Sequence, residues 1–195
     1  THLLYPPGVL GFYSNAGYNI LGHILKEASG IDYKDYVHDN IFKPLGMKNS
    51  GFWVDSLENK TKIYDNKRNE VKEYPLRDIA SGGIYCDVHD FVLLAKGIVN
   101  SYNKDTPSIL KSETIQEVFK VQNNDAGYVV GRNKRGLGWY LFTNESELAA
   151  NHTGSAGYAF AHIMILTKDK AAFLIFTNSS NGWDLCHQAG YKLLE

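Results

Sequence analysis

The chain has 195 residues, 44% of them hydrophobic and 21% charged, with a formal net charge of −1. That length suits one domain able to bury roughly 70% of the surface its unfolded chain exposes. Near-zero charge removes the electrostatic case for nucleic acid or an anionic membrane surface as a partner. No run approaches the roughly 18 apolar residues of a membrane span.

The chain opens at Thr1 without a methionine and with no visible signal peptide, which reads as the start of a fragment or processed piece. Cys86 and Cys186 are two separate half-buried thiols, because a disulfide framework needs more cysteines. Ser14 or Asn15 can cap a first helix by accepting from the free N–H groups of its first turn. Leu21, Ile24, Leu25 and Ala28 then recur with the spacing of a buried stripe, and Gly30 supplies a left-handed stop. A second short helix follows Asp32, burying Tyr33, Tyr36 and Val37, and ends before Pro44, which cannot continue it. Pro44-Leu45-Gly46-Met47 is a turn with apolar anchors.

From Ser50 to Arg77 single aromatics such as Phe52, Trp53, Tyr64 and Tyr74 interrupt polar residues, and short strands or a wandering loop both fit. The densest basic run, Lys60 to Lys72, also holds Asp65 and Glu70 and reads as a solvated loop. Ala80-Ser81-Gly82-Gly83 marks a tight backbone position. The next helix is capped by Asp87, has Asp90 in its first turn, and buries Phe91, Leu94, Ala95 and Ile98 with Val92 and Val99 at the margins. Asn100 to Pro107 reads as loop, and Ser112 caps a helix to about Lys120 with Ile115, Val118 and Phe119 on one side.

After a Gly- and Asn-rich connection the period changes. Leu137 to Thr143, Tyr158 to Leu166 and Ala171 to Thr177 are strand-like, the last two joined by a hairpin over Thr167 to Lys170. Glu147 to Asn151 leads into His152-Thr153-Gly154-Ser155 at the start of a strand. A helix from about Trp183 to Leu194 closes the chain, with Cys186, Ala189 or Gly190, and Leu193 inward. The expectation is a single α+β domain over 1–195, mainly helical over 1–135, with antiparallel strands and a C-terminal helix over 136–195.

Two stretches carry chemistry. Pro7 through Asn15 presents Tyr13 beside small polar residues where a loop becomes a helix. A phenol ordinarily titrates near pH 10, so acting as a phenolate base at neutral pH costs about 4 kcal/mol. Burial alone pushes the wrong way, and only nearby positive charge or donated hydrogen bonds lower that cost. His152 is a candidate helper, though mostly neutral at pH 7. Gly154 lets a substrate approach the strand backbone, the Ser155 N–H can meet a carbonyl oxygen, and Thr153 offers a hydroxyl to a carboxylate. On spacing alone, a packed tyrosine and an ordinary turn account for both stretches.

Taken in order, Tyr13-Ser14-Asn15 and His152-Thr153-Gly154 resemble the second and third motifs of the serine β-lactamase and DD-peptidase superfamily. The resemblance is to the branch of class C β-lactamases, DD-carboxypeptidases and esterase-like members. Pro7-Gly8 through Gly30, Pro44 to Met47, Ala80 to Tyr85, Gly136-Leu137-Gly138-Trp139 and Thr177-Asn178 extend it along nearly the whole chain. The H-T-G in place of K-T-G resembles DD-carboxypeptidases and esterase-like members more than a dedicated class C β-lactamase. The resemblance implies catalytic roles for Tyr13 as proton shuttle, Asn15 as a hydrogen-bonding partner of substrate and lysine, and His152 as tuner of Tyr13 and of the substrate's anionic end. It implies substrate-binding roles for Thr153, Gly154 and Ser155, a small-molecule or peptide substrate (β-lactam, D-Ala-D-Ala peptide or ester), and a location outside the cytoplasm. It also implies an upstream Ser-x-x-Lys, a missing N-terminal segment of the same protein, without which the isolated chain is inactive.

The two S-x-x-K strings present, Ser101 to Lys104 and Ser108 to Lys111, follow the tyrosine motif and do not open a helix. Thr153 to Gly157 approaches a hydrolase nucleophile elbow, but a hairpin follows where that elbow needs a helix, and Asp184 and His187 share one helix. The seven histidines include no metal-binding spacing, and Asp87-Val88-His89-Asp90 is better explained as a cap. No Walker or dinucleotide motif occurs, so no metal or cofactor is implied. The alternative from another class is a non-catalytic binding module that retains ligand contacts without turnover.

Overall fold

The computed structural model describes residues 6, 13–52, 60–74, 78–106, 108–122, 134–143 and 148–192, the side chains of 187 and 191 excepted. Pro7 to Phe12, Trp53, Pro107, the connection over 123–133, Glu147, Leu193 and Leu194 lie outside the described residues. The fold is α+β, with helices and short strand pairs ahead of an antiparallel sheet.

Helix α1 (Asn15–Ser29) starts at a Ser14 cap and stops at Gly30, whose φ is 70°. Its expected buried stripe is not buried: Leu21 and Ile24 are 56% and 54% exposed, Ala28 is exposed and Leu25 is half-buried. The helix rests instead on a neighbouring side, where buried Gly22 faces Ala80 and the Tyr33 ring. Periodicity identified an apolar arc wider than the surface these described residues cover.

Helix α2 (Tyr33–Val37) does not end before Pro44. It continues through a π turn (His38–Phe42) into α3 (Lys43–Leu45), which closes on left-handed Gly46. The wide turn places Pro44 at the start of a new helical turn, where a missing N–H costs little. Val37, Phe42, Leu45 and Met47 then form a small core.

Strand β1 (Gly51–Phe52) pairs with β4 (Ile84–Tyr85), and β2 (Ile63–Tyr64) with β3 (Glu70–Val71). The one-turn helix α4 (Ile79–Gly82) bears out the tight position, since a Cβ on Gly83 would meet the Ile79 backbone at 2.8 Å. Helix α5 (Val88–Asn103) is capped by Asp87, whose Oδ1 accepts from Asp90 N at 2.7 Å. Buried Asp90 in turn accepts from Asn49 N at 2.7 Å and Ser50 Oγ at 2.8 Å.

The loop expected from Asn100 is the last turn of α5. Ser101 is buried there, donating to Gly97 O and accepting from Ile109 N and Leu110 N at 3.1 Å. Those bonds continue the helix and make Ser101 a structural hydroxyl. Helix α6 (Ser112–Val118) begins without a side-chain cap, because the Ser112 hydroxyl bonds Tyr102 O at 3.3 Å.

The main sheet runs β5 (Lys134–Arg135), β6 (Tyr140–Thr143), β7 (Leu148–Ala156), β8 (Ala159–Leu166) and β9 (Ala171–Thr177) in order, every pair antiparallel. The H-T-G-S residues lie within β7, not at its entrance: Asn151 pairs with Tyr140 of β6, and His152 to Ala156 pair with β8. On one face Leu141, Ala150, Ile163 and Ile165 join Ala95, Ile98, Ile115 and Phe119 in the principal core. Phe91 of α5 stacks on Phe176 of β9 at 4.8 Å. On the other face lies helix α7 (Gly182–Lys192), where His162 Nδ1 and Cys186 O are 2.8 Å apart. Both cysteines are free thiols, and burial pushes Cys86 up to about 12. Among the described residues no helix is long and apolar enough to cross a membrane.

Candidate active site

The entrance to α1 positions Tyr13. Ser14 is extended, with φ −148° and ψ 104°, and its Oγ accepts from Gly17 N at 2.9 Å while its carbonyl accepts from Tyr18 N at 3.2 Å. That turn holds the Tyr13 ring outside the helix, 61% exposed. Asn15 is the exposed first residue of α1.

His152 stands midway along β7 opposite Ile163, a member of the principal core under α5 and α6. Because strand side chains alternate, Thr153 belongs to the opposite face, across from His162 and toward α7. The register with β6 ends at Tyr140–Asn151, so the β6-side backbone of His152 to Ala156 continues past its described neighbour. Gly154 and Ser155 are exposed there and Thr153 is half-buried.

Tyr13 and His152 converge, with ring centroids 6.3 Å apart and planes inclined by 28°. Tyr140 flanks His152 at 5.7 Å, and the Arg135 guanidinium carbon lies 4.7 Å from the Tyr140 ring centroid. These groups face a cleft of about 190 Å³ whose lining also takes in Ser14, Tyr18, Gln122, Gly136, Gly138 and Trp139. Thr153, Gly154 and Ser155 are not part of that lining, so the structure groups Tyr13 with His152 and sets the rest of the H-T-G-S stretch beside them.

The Gly136–Trp139 turn forms the cleft's far wall. Gly136 N donates to Trp139 O at 2.9 Å and Leu137 N to Val118 O at 2.9 Å. Gly138 has φ +80°, and a Cβ there would come within 2.5 Å of the Tyr18 hydroxyl. Both the left-handed backbone and the close approach call for glycine. Trp139 is seated edge-on against buried Phe119 at 5.4 Å.

Burial pulls the His152 imidazole below its usual range; the Thr153 backbone hydrogen bond opposes this, and the Arg135 charge adds to it. Burial, and then the neighbouring Tyr13, push the Tyr18 phenol up. A histidine whose folded pKa lies below its unfolded value near 6.5 contributes stability that is complete above 6.5 and is lost as pH falls through the folded value. The native protein is therefore expected to lose more Tm than His152→Gln between pH 7.5 and pH 5, as read by thermal melts across that range. Parallel curves for the two proteins would remove His152 as the titrating group.

Sequence reasoning missed Tyr18, Gln122, Arg135 and Tyr140. For two of them a signal was present, since Arg135 and Tyr140 directly flank Gly136-Leu137-Gly138-Trp139. The Asp87, His89 and Asp90 ligand atoms lie within 4.8 Å of one another, but Asp87 and Asp90 are engaged in the cap and in bonds to Asn49 and Ser50.

The Beta-lactamase family profile matches residues 1–194. "Beta-lactamase-like protein 4" of Dictyostelium discoideum is 31% identical over 137 residues, covering 62% of this chain and 24% of that protein. A Salmonella heidelberg protein named "Putative D-alanyl-D-alanine carboxypeptidase" is 25% identical over 173 residues, covering 75% of this chain and 38% of its own length. Among solved structures, the octameric penicillin-binding protein homologue from Pyrococcus abyssi aligns with a TM-score of 0.79 at 27% identity, over 91% of this chain and 40% of that one. A class C beta-lactamase mutant shares the fold, with a TM-score of 0.78 at 18% identity over 100% of this chain and 60% of that one. The chain thus spans well under half the length of these curated relatives. With the tyrosine and histidine motifs meeting at one cleft, and a family profile running along nearly all of it, the chain belongs to the Beta-lactamase family.

Proposed function

We propose that this chain supplies the tyrosine and histidine side of a serine acyl-transfer site acting on amide or ester bonds, and that the nucleophilic serine and its lysine come from an upstream segment of the same protein. The convergence of Tyr13 and His152, from distant parts of the chain, to ring centroids 6.3 Å apart at one cleft carries this reading. Tyr13 takes the serine proton as the acyl-enzyme forms and returns it to the leaving group. His152, its imidazole pulled below the usual range by burial, stacks beside the phenol without adding charge. Asn15 holds the substrate amide and the catalytic lysine. The overhanging backbone of β7 receives the extended part of the substrate, with the Ser155 N–H on the oxyanion and Gly154 admitting the close approach.

The substrate class is a D-Ala-D-Ala-type peptide, a β-lactam or an ester. It is favoured by the carboxypeptidase name of one relative and the penicillin-binding name of a structural neighbour above 25% identity. Peptidoglycan as substrate places the protein in the cell envelope. The buried, helix-bonded hydroxyl of Ser101 favours a nucleophile from elsewhere.

A fluorescent penicillin tests this directly. The 195-residue chain is expected to take no covalent label, and the protein that includes the upstream segment to take one. Label on neither would leave a binding module in place of an acyl-enzyme.

A further inference from the structure

We infer that Tyr18 is a positioning residue of the cleft: its hydroxyl, seated on Gly138, sets how far the Tyr13 end of α1 stands from the wall that carries Tyr140. Its use in catalysis rests on the acyl-transfer reading; the spacing that it sets does not.

Tyr18 shares one turn with the proposed base. Its N–H donates to Ser14 O at 3.2 Å, in the same turn that the Ser14 Oγ caps by accepting from Gly17 N at 2.9 Å. A shift of the Tyr18 ring is therefore carried to Tyr13, the residue before that cap. The seat of α1 at Gly22, on Ala80 and the Tyr33 ring, lies one turn further along, so Tyr18 is the contact nearer the phenol of Tyr13.

The far end of the Tyr18 ring meets backbone. A Cβ built on Gly138 would lie 2.5 Å from the Tyr18 hydroxyl but 3.6 Å from Cζ, so the oxygen alone takes up the space that a side chain would need. Gly138 does not yield readily. Leu137 N is held on Val118 O at 2.9 Å, Gly136 N on Trp139 O at 2.9 Å, and the Trp139 ring stands edge-on to buried Phe119 at 5.4 Å. Tyr140 follows at once, and its ring flanks His152 at 5.7 Å. A strut thus runs from Ser14 through Tyr18 to Gly138, and the 6.3 Å between the Tyr13 and His152 rings spans the same two walls. Burial, and then Tyr13, push the Tyr18 phenol up, so it stays an uncharged hydroxyl while Tyr13 exchanges its proton.

The contact is tested by exchanging groups across it. Tyr18→Phe removes the oxygen, Gly138→Ala puts a methyl against the oxygen, and the double variant leaves that methyl in ordinary contact with the ring at 3.6 Å. The left-handed backbone strains alanine at 138 alike in both proteins that carry it, so that cost cancels in the comparison. In the 195-residue chain, NMR reads the NOE between the Tyr13 ring protons and His152 Hε1. It should change by about twofold or more in each single variant and return toward the native value in the double variant. In the protein that carries the upstream segment, each single variant should lower kcat about tenfold at unchanged KM, the scale of a base displaced by less than 1 Å, and the double variant should recover most of that loss. Starting from Tyr13→Phe, the further change Tyr18→Phe should add less than about twofold, because the group it aims is gone. An NOE equal in all of these proteins overturns the inference, as does a double variant no better than Gly138→Ala. So does a kcat loss that persists undiminished in Tyr13→Phe. The NOE pattern without penicillin labelling would uphold the strut and reject the acyl-enzyme. Labelling with an NOE indifferent to Tyr18 would do the reverse.

Discussion

Replacing Tyr13 by phenylalanine is expected to slow acylation by about 10²-fold or more in the protein that carries the nucleophile, the usual scale for losing a general base. The substitution removes one hydroxyl and leaves the ring. The ring contacts His152 at 6.3 Å and is 61% exposed, so the cleft keeps its shape and Tm stays where it was. Stopped-flow acylation with a fluorescent penicillin measures the rate, and a melt measures the fold. An unchanged rate would take the proton shuttle away from Tyr13. A lower rate with a lower Tm would point to repacking and not to chemistry.

Gly190→Ala is expected to destabilise the α7 layer through a steric clash. A Cβ at that position would sit 2.7 Å from His162 Nδ1 and closer still to Cε1. His162 is buried and tied to Cys186 O at 2.8 Å, so it cannot move aside without breaking that bond. Overpacking of this kind costs about 1–3 kcal/mol, reduced by the better helix propensity of alanine. For a chain of this length, a net cost of about 1–2 kcal/mol lowers Tm by about 2–8 °C. Gln188→Ala, on an exposed position of the same helix, serves as the control and should leave Tm nearly unmoved. Equal behaviour of the two variants would remove the steric argument.

What could be read from the sequence was what local chemistry decides. The Asp87 cap, the Gly30 stop and the last two strands follow from single residues or short periods, and the structure places them where those rules put them. The α5 terminus was misjudged because Ser101, Asn103 and Lys104 look like loop residues. Tertiary bonds from Ile109 and Leu110 to the Ser101 hydroxyl extend the helix through them. The course through Pro44 was illegible because a π turn has no simple residue signature. In the site, Tyr13 and His152 were legible by motif and Arg135 and Tyr140 could be found as the flanks of Gly136 to Trp139, whereas Gln122 reaches the cleft only through its bond to Arg135 O.

Tyr13 stands at the mouth of a helix that, among the described residues, is seated along one flank, with Leu21 and Ile24 exposed. Taking the exposed half of each of those side chains out of water is worth about 1 kcal/mol. Any cover laid over them must also fix how far α1 tilts, and with it where the phenol points. The aim of the proposed base and the seating of that cover are then one thermodynamic event, so a mutation at Leu21 that never touches substrate can still retune a proton transfer a few turns away.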